Sequence, residues 1–240
     1  MTLGLAVLLL LGQEPAIAGG QNIREQMACA PMSAPAPVEG LRVAGSAVHG
    51  RVMFATGDTV LLNAGSEQGV QNGQVYYVRR KVRDHFTPPT GDFIPSSIHT
   101  AGWVTIVDTK EYVSIATVTH ACDALLYGDF LEPFTSPVVP APALGGQPDY
   151  ANPAHIVMGD ERRQIGSEGM LMLIDRGTEQ GARAGQTLTI YRETMNGLGP
   201  IVSVGRATIL SVAPKSAVVR IDSSHEAVYV GDLAAINRIQ

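Results

Sequence analysis

Apolar residues in this chain come in short runs separated by turn residues. Thr59–Leu62 and Leu171–Ile174 are compact apolar stretches. Gln74–Val78 and Gln186–Tyr191 are rich in β-branched and aromatic residues, which suit a pleated surface. Trp103–Val107, Tyr112–Val118, Ser203–Val212 and Ala217–Ile221 follow the same habit. Ala217–Ile221 reads as a strand buried on one face, whereas Ile115 and Val118 break a clean alternation in their run. Gly57-Asp58, Asn72-Gly73 and Asn196-Gly197 mark turns between the runs. No stretch keeps a helical period beyond about two turns. With roughly five or six short strands in each half, the pattern predicts an all-β chain. The expected architecture is two tandem small β-barrels, SH3- or OB-like, in which closure protects the strand edges.

The halves are copies of one unit. Residues 57–80 and 169–192 align at an offset of 112 with nine of 24 positions identical, among them Gly57, Leu61, Gly65, Glu67, Gln68, Gly69, Gly73, Gln74 and Arg80. Residues 102–130 and 205–233 align at an offset of 103, where Gly102, Thr105, Ile106, Ala124, Gly128 and Asp129 recur. The smaller offset reflects a longer central loop in the first copy, running roughly from Arg83 to Thr100. Prolines 133, 137, 140, 142, 148 and 153 form an extended, semi-rigid spacer between the copies. Prolines 31, 35 and 37 form a similar arm before the first. The expected map is a signal peptide over 1–18, a Pro/Ala-rich arm over 19–40 and a first barrel over 41–132. A Pro-rich linker over 133–154 and a second barrel over 155–240 complete it.

The apolar run Leu3–Leu11 is too short for a bilayer, which takes about 20 residues, and fits a secretory signal core. Ala16-Ile17-Ala18 supplies a small-x-small cleavage pattern, so the mature chain is expected to start at Gly19. No Lys or Arg precedes the run, so the true start is expected upstream, or the segment has been trimmed. Cys29 lies well beyond the apolar core, which argues against a lipid-modified cysteine. No later stretch is long and apolar enough to be a membrane anchor. The expected location is the periplasm or the outer-membrane periphery.

Composition then narrows the classes. Charged residues make up only 16% of the 240 and hydrophobic ones 45%, against about 25% charged in an average globular chain. That excludes wholesale disorder. A net charge of −5 gives no basic stripe for nucleic acid. Two cysteines exclude a disulfide-dense scaffold and a four-cysteine zinc site. After export, Cys29 and Cys122 either pair, tying the arm to the first barrel, or remain two free thiols. His120 stands two residues before Cys122, a spacing frequent by chance and a weak pointer to catalysis or a metal. No cofactor is expected.

The repeated loop Gly65-Ser66-Glu67-Gln68-Gly69-Val70-Gln71-Asn72-Gly73 has a structural reading. Gly65 is expected to make a sharp turn with positive φ, Ser66 or Thr178 to cap a helical turn, and Gly69 to end it in left-handed conformation. Val70 or Ala182 then points inward and Gly73 releases the next strand. Gly177, Gly181 and Gly185 play the same parts in the second copy. A phosphate cradle would need a following helix and, in a P-loop, a Lys; both copies lack the Lys and run into a strand. Gly128-Asp129 and Gly231-Asp232 read as turns into the last strand.

The loop pattern N/D-x-G-S/T-x-x-G-V/A-x-x-G, a strand ending in Arg and an A-x-x-x-G-D close together resemble a known extracytoplasmic β-barrel module. It is similar to the C-terminal domain of the flagellar assembly protein T family and to the barrels that follow LysM domains in bacterial envelope proteins. Asn63, Gly65, Ser66, Gly69, Val70 and Gly73 match in one copy, and Asp175, Gly177, Thr178, Gly181, Ala182 and Gly185 in the other. Most members carry Asp after the last Gly, where this chain has Gln74 and Gln186. There is no LysM repeat. The resemblance implies a non-catalytic role in envelope assembly or scaffolding.

The leading expectation is therefore an exported, non-enzymatic interaction protein with envelope-protein partners. The contact surface expected for it is the 83–100 loop, with His85, Phe86, Phe93, Ile94 and His99; the alternative is that this loop folds back over the barrel. The competing reading is a peptidoglycan- or glycan-binding protein or a cell-wall enzyme, with Asp108, Asp123, Asp160, Glu161 and Glu193 as candidate acids, of which Asp123 has a like-charged counterpart, Glu226, in the second copy. His155 and His225 are dispersed. A subunit of a larger oligomeric assembly is a third reading, suited to tandem units.

Overall fold

The computed structural model describes residues 23–33, 37, 40–82, 97–143, 145–159, 163–194 and 199–238. It is mostly β, with one short helix, α1 (Ile23–Cys29). The six main strands of the first unit are β1 (Val43–Gly45), β2 (Thr59–Leu62), β3 (Val75–Val82), β4 (Ser97–Thr109), β5 (Ser114–Ala121) and β6 (Phe130–Pro133). Those of the second are β7 (Ala154–Gly159), β8 (Leu171–Ile174), β9 (Thr187–Glu193), β10 (Ile201–Val212), β11 (Ala217–Ser224) and β12 (Leu233–Arg238). Each unit also has a two-stranded annex, Met53–Phe54 with Leu125–Leu126 and Ile165–Gly166 with Val228–Tyr229.

Both units share the cyclic order β1-β2-β5-β4-β3-β6, or its second-copy equivalent. All ladders are antiparallel. In the second unit β9 pairs β12 and the six strands close into a barrel. In the first unit the sheet curls until its ends meet at one bridge, Arg42 to Phe130. Val43 N–H to the Asp129 carbonyl (2.9 Å), Gly128 N–H to Val43 (2.9 Å) and Leu131 N–H to Leu41 (2.8 Å) stitch that seam.

The period-2 alternation works through small residues as well as large ones. In β5 the inward set is Ser114, Ala116 and Val118, all buried, while Ile115 faces outward. The alternation is real, and counting only the large residues Ile115 and Val118 hides it. One core gathers Val60, Leu62, Val78, Val104, Ile106 and Leu125, and its counterpart gathers Met172, Ile174, Ile190, Ile209, Ile221 and Val228.

The flanking segments are not free spacers. Phe134 N–H donates to Val75, and Thr135 accepts from the Tyr77 hydroxyl at 2.8 Å. Ala143 N–H donates to Gly185, and Gln147–Pro148 pairs β12. The proline-rich stretch thus lies along both barrels. In the arm, Met32–Ser33 pairs Ile98 and Ser97 of β4.

Candidate functional site

The repeated turns are built from a common set of side chains. Gly65 has φ −136°, extended rather than left-handed, and Gly177 has −129°. The expectation of a positive φ there is corrected: glycine is required because a Cβ would sit 2.0 Å from the Lys110 carbonyl oxygen at 65 and 2.2 Å from that of Ala213 at 177. Ser66 and Thr178 do not cap the short 3-10 turns either. The caps are Gly65 and Gly177, whose N–H groups donate to the Gln68 and Gln180 side-chain oxygens at 2.8 and 2.9 Å. Gly69 and Gly181 are left-handed as expected, with φ of 79° and 78°, and Gly73 and Gly185 are left-handed too, with φ of 83° and 88°. Val70 and Ala182 are buried. Gln74 and Gln186 accept from the N–H groups of Gln71 and Arg183.

Asn63 and Asp175 tie each turn to the first strand by accepting from Arg42 N–H (2.6 Å) and His155 N–H (2.7 Å). Asp175 also meets His155 Nδ1 at 2.9 Å in a buried pair. The strand-ending arginine and the A-x-x-x-G-D close belong to one device. Arg80 contacts the Ala124 carbonyl and Asp129, and Arg192 contacts the Ala227 carbonyl and Asp232. The same aspartates accept from Leu126 N–H and Tyr229 N–H. Arg192 grips Asp232 through two nitrogens, at 2.5 and 2.8 Å, and that bond raises its guanidinium pKa. Arg80 reaches Asp129 through one nitrogen at 3.2 Å. Burial pushes the Asp129 carboxyl up to about 6, against the opposing pull of Leu126 N–H and Arg80.

Of the expected contact loop, His85, Phe86, Phe93 and Ile94 lie outside the described residues. His99 is corrected: it belongs to β4, is buried, and places Nε2 3.2 Å from Asp123. The strand starts at Ser97, because pairing with β3 continues through Val82–Ser97. Among the candidate acids, Asp108 pairs with Lys110 (2.9 Å), while Glu226, the counterpart of Asp123, pairs with Arg192 (2.9 Å). Glu193 is exposed at the end of β9, and Asp160 and Glu161 lie outside the described residues.

The site that the fold assembles lies between the barrels. A helix of seven residues is too short to persist alone, and α1 is held on two sides. Ile23, Met27 and Ala30 pack on Val157, Leu171, Leu173, Leu210 and Val218, the outer face of the second barrel. Ala28 and Cys29 pack with Tyr77, Trp103 and Phe134 on the outer face of the first. Cys29 and Cys122 form a disulfide. Ser97 Oγ donates to Met158 Sδ at 3.2 Å across the same seam. A cleft of about 430 Å³ opens beside it, with Glu25, Cys29, His120 and Cys122 on one wall and Ile165 and Met170 on the other. The helix went unread because only Ile23, Met27 and Ala30, spaced by four and three, announce its apolar stripe.

Compared with known proteins, the chain matches no family model and no curated protein. Among the described residues no helix is long and apolar enough to cross a membrane.

Proposed function

We propose that the protein is a non-enzymatic exported protein of the cell envelope that serves as an assembly or interaction module. The observation that carries the reading is the Cys29–Cys122 disulfide, a bond that persists in oxidising compartments. It fastens one helix to two barrels and makes a two-headed body from a duplicated unit. The apolar segment Leu3–Leu11 and the likeness of the turns to the flagellar assembly protein T module point the same way. The chemistry shared by the two copies, Arg80 with Asp129 and Arg192 with Asp232, goes to holding turns.

The contact surface we assign is the first annex, where Val48, Val52, Met53 and Tyr127 are each more than half exposed. Tyr127 N–H donates to Val52, so these residues form one rim. Exposed apolar rims suit protein partners. In-cell crosslinking should capture an envelope protein from the native chain, and Met53→Asp with Tyr127→Asp should abolish the capture while shifting stability by only about 0.5 kcal/mol. Capture unchanged by the double variant overturns the assigned surface. Turnover of purified cell-wall sacculi by the native chain overturns the non-enzymatic reading, and free thiols at both cysteines in cells overturn export.

A further inference from the structure

We infer that Cys29, Cys122 and His120 form a redox-gated site for a thiophilic cation, Zn²⁺ being the case argued here. The two sulfurs and an imidazole nitrogen lie within 4.8 Å of one another. A tetrahedral zinc with Zn–S near 2.3 Å places its two sulfurs roughly 3.8 Å apart, and Zn–N is about 2.0 Å, so small side-chain rotations bring the three atoms into a first coordination sphere. The three residues come from rigid places: the last turn of α1, the end of β5 and the residue just beyond it.

His120 is presented for ligation. Its ring stacks face-on against Trp103, with centroids 4.2 Å apart and planes 9° from parallel. An imidazole binds metal in the ring plane, so stacking fixes the ring without using either nitrogen. No hydrogen bond among the described residues engages those nitrogens. The same three residues line the cleft, which provides an entry path and room for a fourth ligand. Glu25 stands one helical turn before Cys29 and lines the same wall. Three protein ligands facing open space is the arrangement of an accessible zinc site.

The gate is the disulfide. While the sulfurs are bonded to each other neither is a thiolate. A dithiol reductant transfers two electrons and two protons, becoming a disulfide itself and leaving Cys29 and Cys122 as thiols. Zn²⁺ then displaces both thiol protons to solvent and accepts a nitrogen lone pair from neutral His120. The cation replaces the disulfide as the clasp between α1 and the first barrel. This inference stands on the cleft and does not depend on the assigned partner surface.

The test uses the full chain, reduced with a phosphine, which takes oxygen from water and leaves no competing thiol. Zn²⁺ is titrated against a chromophoric chelator, and Co²⁺ is used to read thiolate charge-transfer absorption. The reduced chain should bind one Zn²⁺, at least about tenfold more tightly than the oxidised chain, and Zn²⁺ should restore amide protection over residues 23–29. His120→Ala should weaken binding at least about tenfold, and His120→Cys should recover it by restoring a third ligand. A purely structural role for His120 predicts no such recovery. Equal Zn²⁺ affinity for oxidised and reduced chains, or a reduced chain indifferent to His120→Ala, overturns the site.

Discussion

The two barrels share their turns and differ in their outer faces. Tyr77 and Trp103 on the first correspond to Thr189 and Arg206 on the second, so only the first offers an aromatic platform on strands β3 and β4. The reverse holds on the other side. Leu173, Leu210 and Val218 of the second barrel are buried, while their counterparts Leu61, Val107 and Ile115 are partly or largely exposed. Each copy has become apolar on a different face, and α1 fills the space where those faces approach. Duplication preserved what closes a barrel; divergence decided what each barrel touches.

The largest effect should come from the shared turn glycines. Gly65→Ala and Gly177→Ala each drive a Cβ into a backbone carbonyl, and each should cost at least about 4 kcal/mol in denaturant unfolding. A cost under about 1 kcal/mol in only one copy would break the equivalence of the turns. Next comes Cys29→Ala with Cys122→Ala. The bond closes a loop across a separation of 93 residues, and its loss should cost about 4 kcal/mol. Hydrogen exchange should rise over α1 and β4 and stay low over β11. A uniform rise would show that the barrels unfold as one.

Exchanging the outer residues sharpens the contrast. Trp103→Arg should cost about 3 kcal/mol, by loss of a buried aromatic surface. Arg206→Trp, on an exposed position, should stay within about 0.5 kcal/mol. Equal costs would mean that α1 does not distinguish the faces. A pH-dependent effect separates the two Arg–Asp devices. A carboxyl raised to about 6 by burial binds its proton more tightly in the folded state than in the unfolded one. Its contribution is therefore full below about pH 4 and lost as pH climbs through about 6, a change on the order of 3 kcal/mol. Asp129→Asn should flatten the stability profile across that window; an unaltered slope would assign it to another group.

Much of this was legible from residues. Thr59–Leu62 and Leu171–Ile174 are strands with those bounds, because compact apolar runs between turn residues leave little choice. Val70 and Ala182 point inward as the turn spacing requires. Local turn propensity explains Gly65 by a positive φ, whereas the actual need, close approach of the Lys110 carbonyl, is a tertiary fact that propensity cannot carry. The change of repeat offset and the central prolines put His99 on a loop; the β3–β4 ladder runs past that signal. The seam was invisible for a different cause. It depends on comparing outward positions of the two copies, Trp103 with Arg206 and Val107 with Leu210, whereas the repeat is defined by the inward and turn positions they share.

The helix also imposes an order in time. Its first barrel-facing side can settle once β3, β4 and Cys122 exist, but Ile23 and Met27 rest on Leu173, Leu210 and Val218, which are synthesised far later. Domains fold from the N-terminus as the chain emerges, so α1 precedes both barrels in synthesis yet is buried only after the second has formed. Until β11 arrives, those two side chains stay open to water.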